Sequence, residues 1–157
     1  MSDLPDFTNY SQVDLVQQTI AFLTNRPMYG EAKKIETQVT VKPNDYKTLL
    51  ELTGKGMIYS GIVYTQTDHS IYSDFVILEI DDIEIFSLTW AVLLDYGMMR
   101  YGDFVVWLSE YNDKDYKYLL SIKNGLTFEE KIRIRYYESL GRTFHVNSCL
   151  VYTLVNT

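Results

Sequence analysis

The chain has 157 residues, a length that suits one domain able to bury roughly 70% of the surface of its unfolded chain, so a core needs neither a metal nor disulfides. A lone cysteine, Cys149, excludes an intramolecular disulfide and points to intracellular synthesis; Met1–Asp6 has neither the basic nor the apolar region of a secretory signal, and no run of ~18 apolar residues is available to span a membrane. The net charge of −7 is spread along the chain, repels phosphate backbones and argues against nucleic acid as a partner.

The first ten residues lack periodicity and read as an arm. Ser11 opens Ser-Gln-Val-Asp, a weak capping box, and Val13, Val16, Ile20 and Leu23 follow at helical spacing, which predicts a helix ending near Thr24 before Arg26-Pro27. From Lys34 to Lys42 the period changes to two, with Ile35, Thr37, Val39 and Val41 on one strand face. Pro43-Asn44-Asp45 turns the chain into a strand over Tyr46 to Thr53. Gly54-Lys55-Gly56 is expected to be a hairpin turn into Met57 to Thr67, a strand read as covered on both faces, with Gly61 marking a bulge or close approach.

Tyr72 to Ile80, an Asp81-Asp82 turn and Ile83 to Phe86 follow as strands. Ser87 is expected to cap a short helix through Leu88, Val92 and Leu93, with Gly97 left-handed at its C-terminus. Phe104 to Ser109, Tyr116 to Lys123, Glu130 to Tyr137 and Thr143 to Leu154 complete the strands. Short, turn-punctuated strands without a fixed repeat predict an all-β, antiparallel β-sandwich over residues 34–157, preceded by an N-terminal helical arm over residues 1–33 and carrying one short inserted helix.

Candidate chemistry is sparse. His145, Asn147 and Cys149 share one strand face in the manner of a Cys-His-Asn triad, but positions four apart on a strand lie about 13 Å apart, and a thiol needs its base at about 3 Å. Glu79, Asp81, Asp82 and Glu84 surround a turn without the spacing of an EF-hand loop, and two histidines with one cysteine give a zinc site little material, so no catalytic, cofactor or metal residue is assigned. Lys131, Arg133 and Arg135 line one strand face, with Arg142 just beyond, and read as a solvated outer face. The fourteen tyrosines cannot all be interior, because each hydroxyl requires a partner or water; edges and interfaces are their expected places.

The run Tyr46-Lys-Thr-Leu-Leu-Glu-Leu-Thr-Gly-Lys-Gly-Met-Ile-Tyr-Ser-Gly-Ile-Val, followed by Val76-Ile-Leu-Glu-Ile-Asp-Asp-Ile-Glu-Ile and a closing strand pair, resembles the small jelly-roll or β-sandwich structural proteins of tailed viruses, found in head decoration, collar and tail parts. The resemblance covers about Lys34 to Val155. It implies a jelly-roll-like sandwich and a noncatalytic virion protein made in the host cytoplasm, foremost a capsid decoration (cement) protein that bridges capsid subunits. The implied partners are copies of itself, as a trimer, together with viral capsid or tail proteins, and no cofactor. Leu4, Phe7, Tyr10, Val13 and Val16 of the arm and helix are the expected partner contacts. The rival reading is a ligand-binding module, for carbohydrate or a host receptor at a tail-fibre tip, with Trp107, Tyr116 and Tyr118, joined by Trp90, as an aromatic platform.

Overall fold

A computed structural model describes residues 30–101 and 104–155. The predicted helix over Ser11–Thr24 and the candidate contacts Leu4, Phe7, Tyr10, Val13 and Val16 lie outside the described residues. The described elements are β1 (Lys33–Val41), β2 (Tyr46–Thr53), β3 (Gly56–Gln66), β4 (Phe75–Ile80), β5 (Ile83–Thr89), α1 (Trp90–Asp95), β6 (Val106–Asn112), β7 (Lys117–Ile122), β8 (Leu126–Phe128), β9 (Lys131–Tyr137) and β10 (Phe144–Leu154). They form an antiparallel, all-β sandwich. The larger sheet has the order β1-β10-β3-β7-β6, with β8 also paired to β3, and the smaller sheet has the order β2-β9-β4-β5.

The alternation of the C-terminal strands does what its period requires. Ile132, Ile134 and Tyr136 of β9 and Val146 and Leu150 of β10 are fully buried between the sheets, while the intervening residues face outward. Facing rows from β1 to β7 close the core, among them Val41, Leu50, Ile58, Leu78 and Leu120.

Gly54-Lys55 is not a hairpin. β2 belongs to the smaller sheet and β3 to the larger, so this segment steps from one sheet to the other. Gly56 makes the step possible, because a Cβ there would sit 2.2 Å from the Thr153 carbonyl oxygen of β10. β3 is central in its sheet, but only its inward face is buried; Tyr59 and Tyr64 reach solvent on the other. Gly61 faces inward, where a Cβ would meet Leu150 at 2.6 Å, so it marks a close approach across the core.

The inserted helix begins later than its sequence suggests. Ser87 and Leu88 remain in β5, opposite Ile77 and Val76, and Thr89 is the N-cap, its Oγ1 accepting from the Val92 N–H at 3.2 Å. A strand ladder with apolar partners outcompetes one turn of helix. Gly97, at φ 66°, closes α1 as expected, with the Gly97 N–H on the Leu94 carbonyl and the Met98 N–H on the Leu93 carbonyl.

The Asp81-Asp82 turn, at φ 51° and 63°, is a tight two-residue hairpin, and its first carboxylate ties that hairpin to the strand beside it. Asp81 accepts backbone N–H bonds from Glu129, Glu130 and Lys131 at 2.9, 2.7 and 2.9 Å. These donors, Glu129 first, hold its carboxyl below the ordinary aspartate range. The Asp81 contribution to stability is therefore present above the ordinary aspartate pKa of about 3.9 and is lost as the pH falls through the lower folded-state value. Urea denaturation of wild type and Asp81→Ala is expected to show its widest gap at neutral pH and a narrowing gap as the pH drops below about 4. A gap that is constant with pH contradicts this role.

Candidate functional site

The residues that suggested a triad are not brought together. His145, Asn147 and Cys149 occupy successive outward positions of β10, and the His145 ring is bonded through Nδ1 to Thr40 Oγ1 at 3.0 Å. Burial raises the Cys149 thiol above its ordinary pKa, which suppresses the thiolate. His69 is buried, packs edge-on against Phe144 and bonds Asp68 through Nδ1 at 2.8 Å. Phe144 is five residues before Cys149, roughly 16 Å along the strand, so the fold does not close the gap.

Three of the four carboxylates of the sequence cluster, Glu79, Asp81 and Asp82, have structural partners. Glu79 bridges Arg133 and Arg135 at 3.0 and 3.1 Å, Glu51 takes Arg133 Nε at 2.6 Å, and Asp82 takes Lys131 at 2.7 Å. The basic row of β9 is thus matched by acids on β2, β4 and the adjoining turn, and it forms no free anion-binding strip. Among the described residues no three His, Cys, Asp or Glu side chains are grouped to hold a metal ion.

Two fully buried acids, Asp74 and Glu138, form a clasp that no local sequence pattern announces. Asp74, fully buried, accepts from the Tyr136 hydroxyl at 2.8 Å and the Ser139 N–H at 2.9 Å, and Trp90 Nε1 donates to the Tyr136 oxygen at 3.3 Å. Glu138, also buried, accepts the N–H groups of Leu140 and Gly141 at 2.7 and 2.9 Å. Burial raises the Asp74 carboxyl and the Tyr136 phenol above their ordinary values. The clasp holds the β3–β4 and β9–β10 connections against α1.

The four aromatic candidates do not form one platform. Trp90 and Tyr118 are core residues, with ring centroids 5.9 Å apart. Burial raises the Tyr118 phenol, whose hydroxyl donates to Asp113 at 2.5 Å. Tyr116 is half-buried in the β6–β7 turn at φ 53°. Trp107 faces outward, half-buried, and stands edge-on to Tyr101 at 5.1 Å.

Two surfaces remain. On the outer face of the larger sheet, Asn147, Tyr64, Leu119 and Glu110 form one row across β10, β3, β7 and β6, and Gln66 sits opposite Lys117 in the next. These residues with Thr65 and Tyr118 line a groove of about 320 Å³. Cross-strand register assembles them from four strands, so no local pattern announces them.

The second surface is the flank where β5 and β6 end their sheets. β5 exposes Ile83 (65%) and Ile85, and the connection from α1 to β6 exposes Tyr96 (79%), Met99 and Tyr101. Neither edge strand contains a lysine or arginine, and each contains one glutamate, Glu84 or Glu110. β1, the opposite edge of the larger sheet, carries Lys33 and Lys34, and β2 of the smaller carries Lys47. Lysine on an edge strand discourages further pairing, and β5 and β6 themselves lack that protection, the exposed cation nearest in sequence being Arg100 in the connection before β6.

No family model matches the chain, and no curated protein matches it.

Proposed function

We propose that this protein is a noncatalytic structural component of a virus particle, foremost a capsid decoration protein that bridges capsid subunits as a homo-oligomer, with a trimer favoured and assembly following synthesis in the host cytoplasm. The observation that carries the reading is that the edge strands β5 and β6 contain no lysine or arginine, while Ile83 and Ile85 of β5 and Tyr96, Met99 and Tyr101 of the connection before β6 are exposed, with Arg100 among the latter. Burying each of these side chains against a neighbour contributes on the order of 1 kcal/mol, which favours association.

A jelly-roll-like winding is part of the proposal. It is supported by the nested antiparallel pairs β1–β10, β2–β9, β3–β7 and β4–β5, since such double-sheet rolls are common in capsid and lectin domains. α1 and β6 are additions between β5 and β7, and they supply most of the flank. The N-terminal helical arm, with Leu4, Phe7, Tyr10, Val13 and Val16 as contacts, belongs to the same proposal as a second attachment.

Static light scattering of the full chain tests it. Wild type is expected to give a multimeric mass, and the double variant Ile83→Lys/Ile85→Lys a monomeric mass at an unchanged melting temperature, because both side chains already face solvent. A monomeric wild type at every concentration, or an unaltered mass in the variant, overturns the reading.

A further inference from the structure

We infer that the groove on the outer face of the larger sheet is a binding site for a neutral saccharide, a role separate from the assembly flank. Its lining includes Leu119 and, beside it, the Tyr64 ring, 39% exposed and standing on the middle strand of the sheet. Around that ring stand Asn147, Gln66, Glu110 and Lys117, none of which has a hydrogen-bond or ion-pair partner for its side chain among the described residues. Some other polar side chains of this surface are paired with one another, as in Ser109 with Ser121 and Thr40 with His145. The groove therefore concentrates unspent donors and acceptors beside an apolar ring face.

The chemistry of the lining selects the ligand. Two carboxamides each offer donor and acceptor together, Glu110 only accepts and Lys117 only donates, which matches a polyol that presents hydroxyls in both roles. The C–H face of a pyranose is apolar and fits against a tyrosine ring whose hydroxyl stays wet. The lining holds one lysine and one glutamate in a chain of net charge −7, so a phosphate or other anion has no electrostatic advantage here. An extended peptide is disfavoured over most of the groove as well: β10, β3 and β7 are interior strands with both neighbours in place, and only β6, at one end, has an open edge. A concave, partly apolar surface with a few convergent polar groups is the usual form of a small-ligand site.

The test is titration of the full chain with soluble tetrasaccharides built on glucose, mannose, galactose and N-acetylglucosamine, read by ligand-observed NMR and calorimetry. At least one is expected to bind with a Kd of about 1 mM or tighter. Tyr64→Ala and Asn147→Ala are each expected to weaken that binding at least about tenfold with unchanged melting temperatures, and Tyr64→Phe to retain it, since the ring face and not the hydroxyl is used. The double variant Ile83→Lys/Ile85→Lys keeps the saccharide affinity, which separates this site from the assembly flank. The inference is overturned when none of the four sugars binds, or when the bound sugar is indifferent to Tyr64→Ala.

Discussion

Asp74→Ala is expected to destabilise the fold by about 2–4 kcal/mol, whereas Asp74→Asn is expected to stay within about 1 kcal/mol of wild type at neutral pH. Alanine removes the acceptor of the Tyr136 hydroxyl and of the Ser139 N–H. The tyrosine hydroxyl is fully buried, and each stranded donor costs roughly 1–3 kcal/mol. Asparagine keeps one acceptor oxygen for the Ser139 N–H and turns an amide NH2 toward the Tyr136 hydroxyl, a loss offset by removing a charge that has been taken out of water with no cation paired to it among the described residues. The carboxylate form is the expensive one here, because burial raises the folded-state pKa above the ordinary value.

The sign of the pH dependence follows. A raised folded-state pKa means that the native chain holds the Asp74 proton more tightly than the unfolded chain does. Its stabilising share is full below the ordinary pKa of about 3.9 and is lost as the pH rises through the folded-state value. Asp81 acts in the opposite direction, so total stability does not isolate either group. The difference curve between Asp74→Asn and wild type does, and it is expected to move in favour of the asparagine as the pH rises through that window. A flat difference curve, or an alanine variant as stable as wild type, shows that Asp74 is not the organising acid of the clasp.

How far the fold was legible varies by strand. β1, β9 and β10 alternate cleanly because each has one face on the core and one in water, and a period of two is the direct record of that condition. The sheet to which a strand belongs leaves no such record. Glycine-rich turns commonly make hairpins, so Gly54-Lys55-Gly56 suggests that β2 and β3 pair, and only the long-range partners β9 and β10 reveal the step between sheets.

The aromatic platform failed on a signal that was present. Tyr118, Leu120 and Ile122 share one parity and are all buried, whereas Trp107 has the parity opposite to buried Val106 and Leu108. Alternation thus separates Trp107 from Tyr118, and grouping them by residue type discarded it. Asp74 offered no comparable clue, since an acid after Tyr72-Ser73 reads as an ordinary turn residue. Its burial arises from contacts with residues 136 and 139, more than sixty positions away.

Gly56→Ala is expected to be the most damaging single-methyl change in the chain, costing about 3 kcal/mol or more and lowering the yield of folded protein. The reason is steric and specific to the step between sheets. The added Cβ would lie 2.2 Å from the Thr153 carbonyl oxygen, 3.0 Å from Phe128 Cζ and 3.1 Å from Leu154 Cδ2. The first contact is with backbone, and relieving it means pulling β3 away from β10 at the Gly56–Leu154 and Met57–Thr153 pairs. Phe128 is fully buried and sits in β8, itself paired to β3 at Gly56, so it has little room to retreat. Gly61→Ala supplies the control, because its closest contacts are the Leu150 and Ile122 side chains at 2.6 and 3.1 Å, which can repack at a cost of about 1–2 kcal/mol. Chemical denaturation of the two variants should place Gly56→Ala well below Gly61→Ala. The reverse order means that β2 and β3 do not pass between the sheets at Gly56, and with that the nested strand pairing supporting the proposed winding would fail.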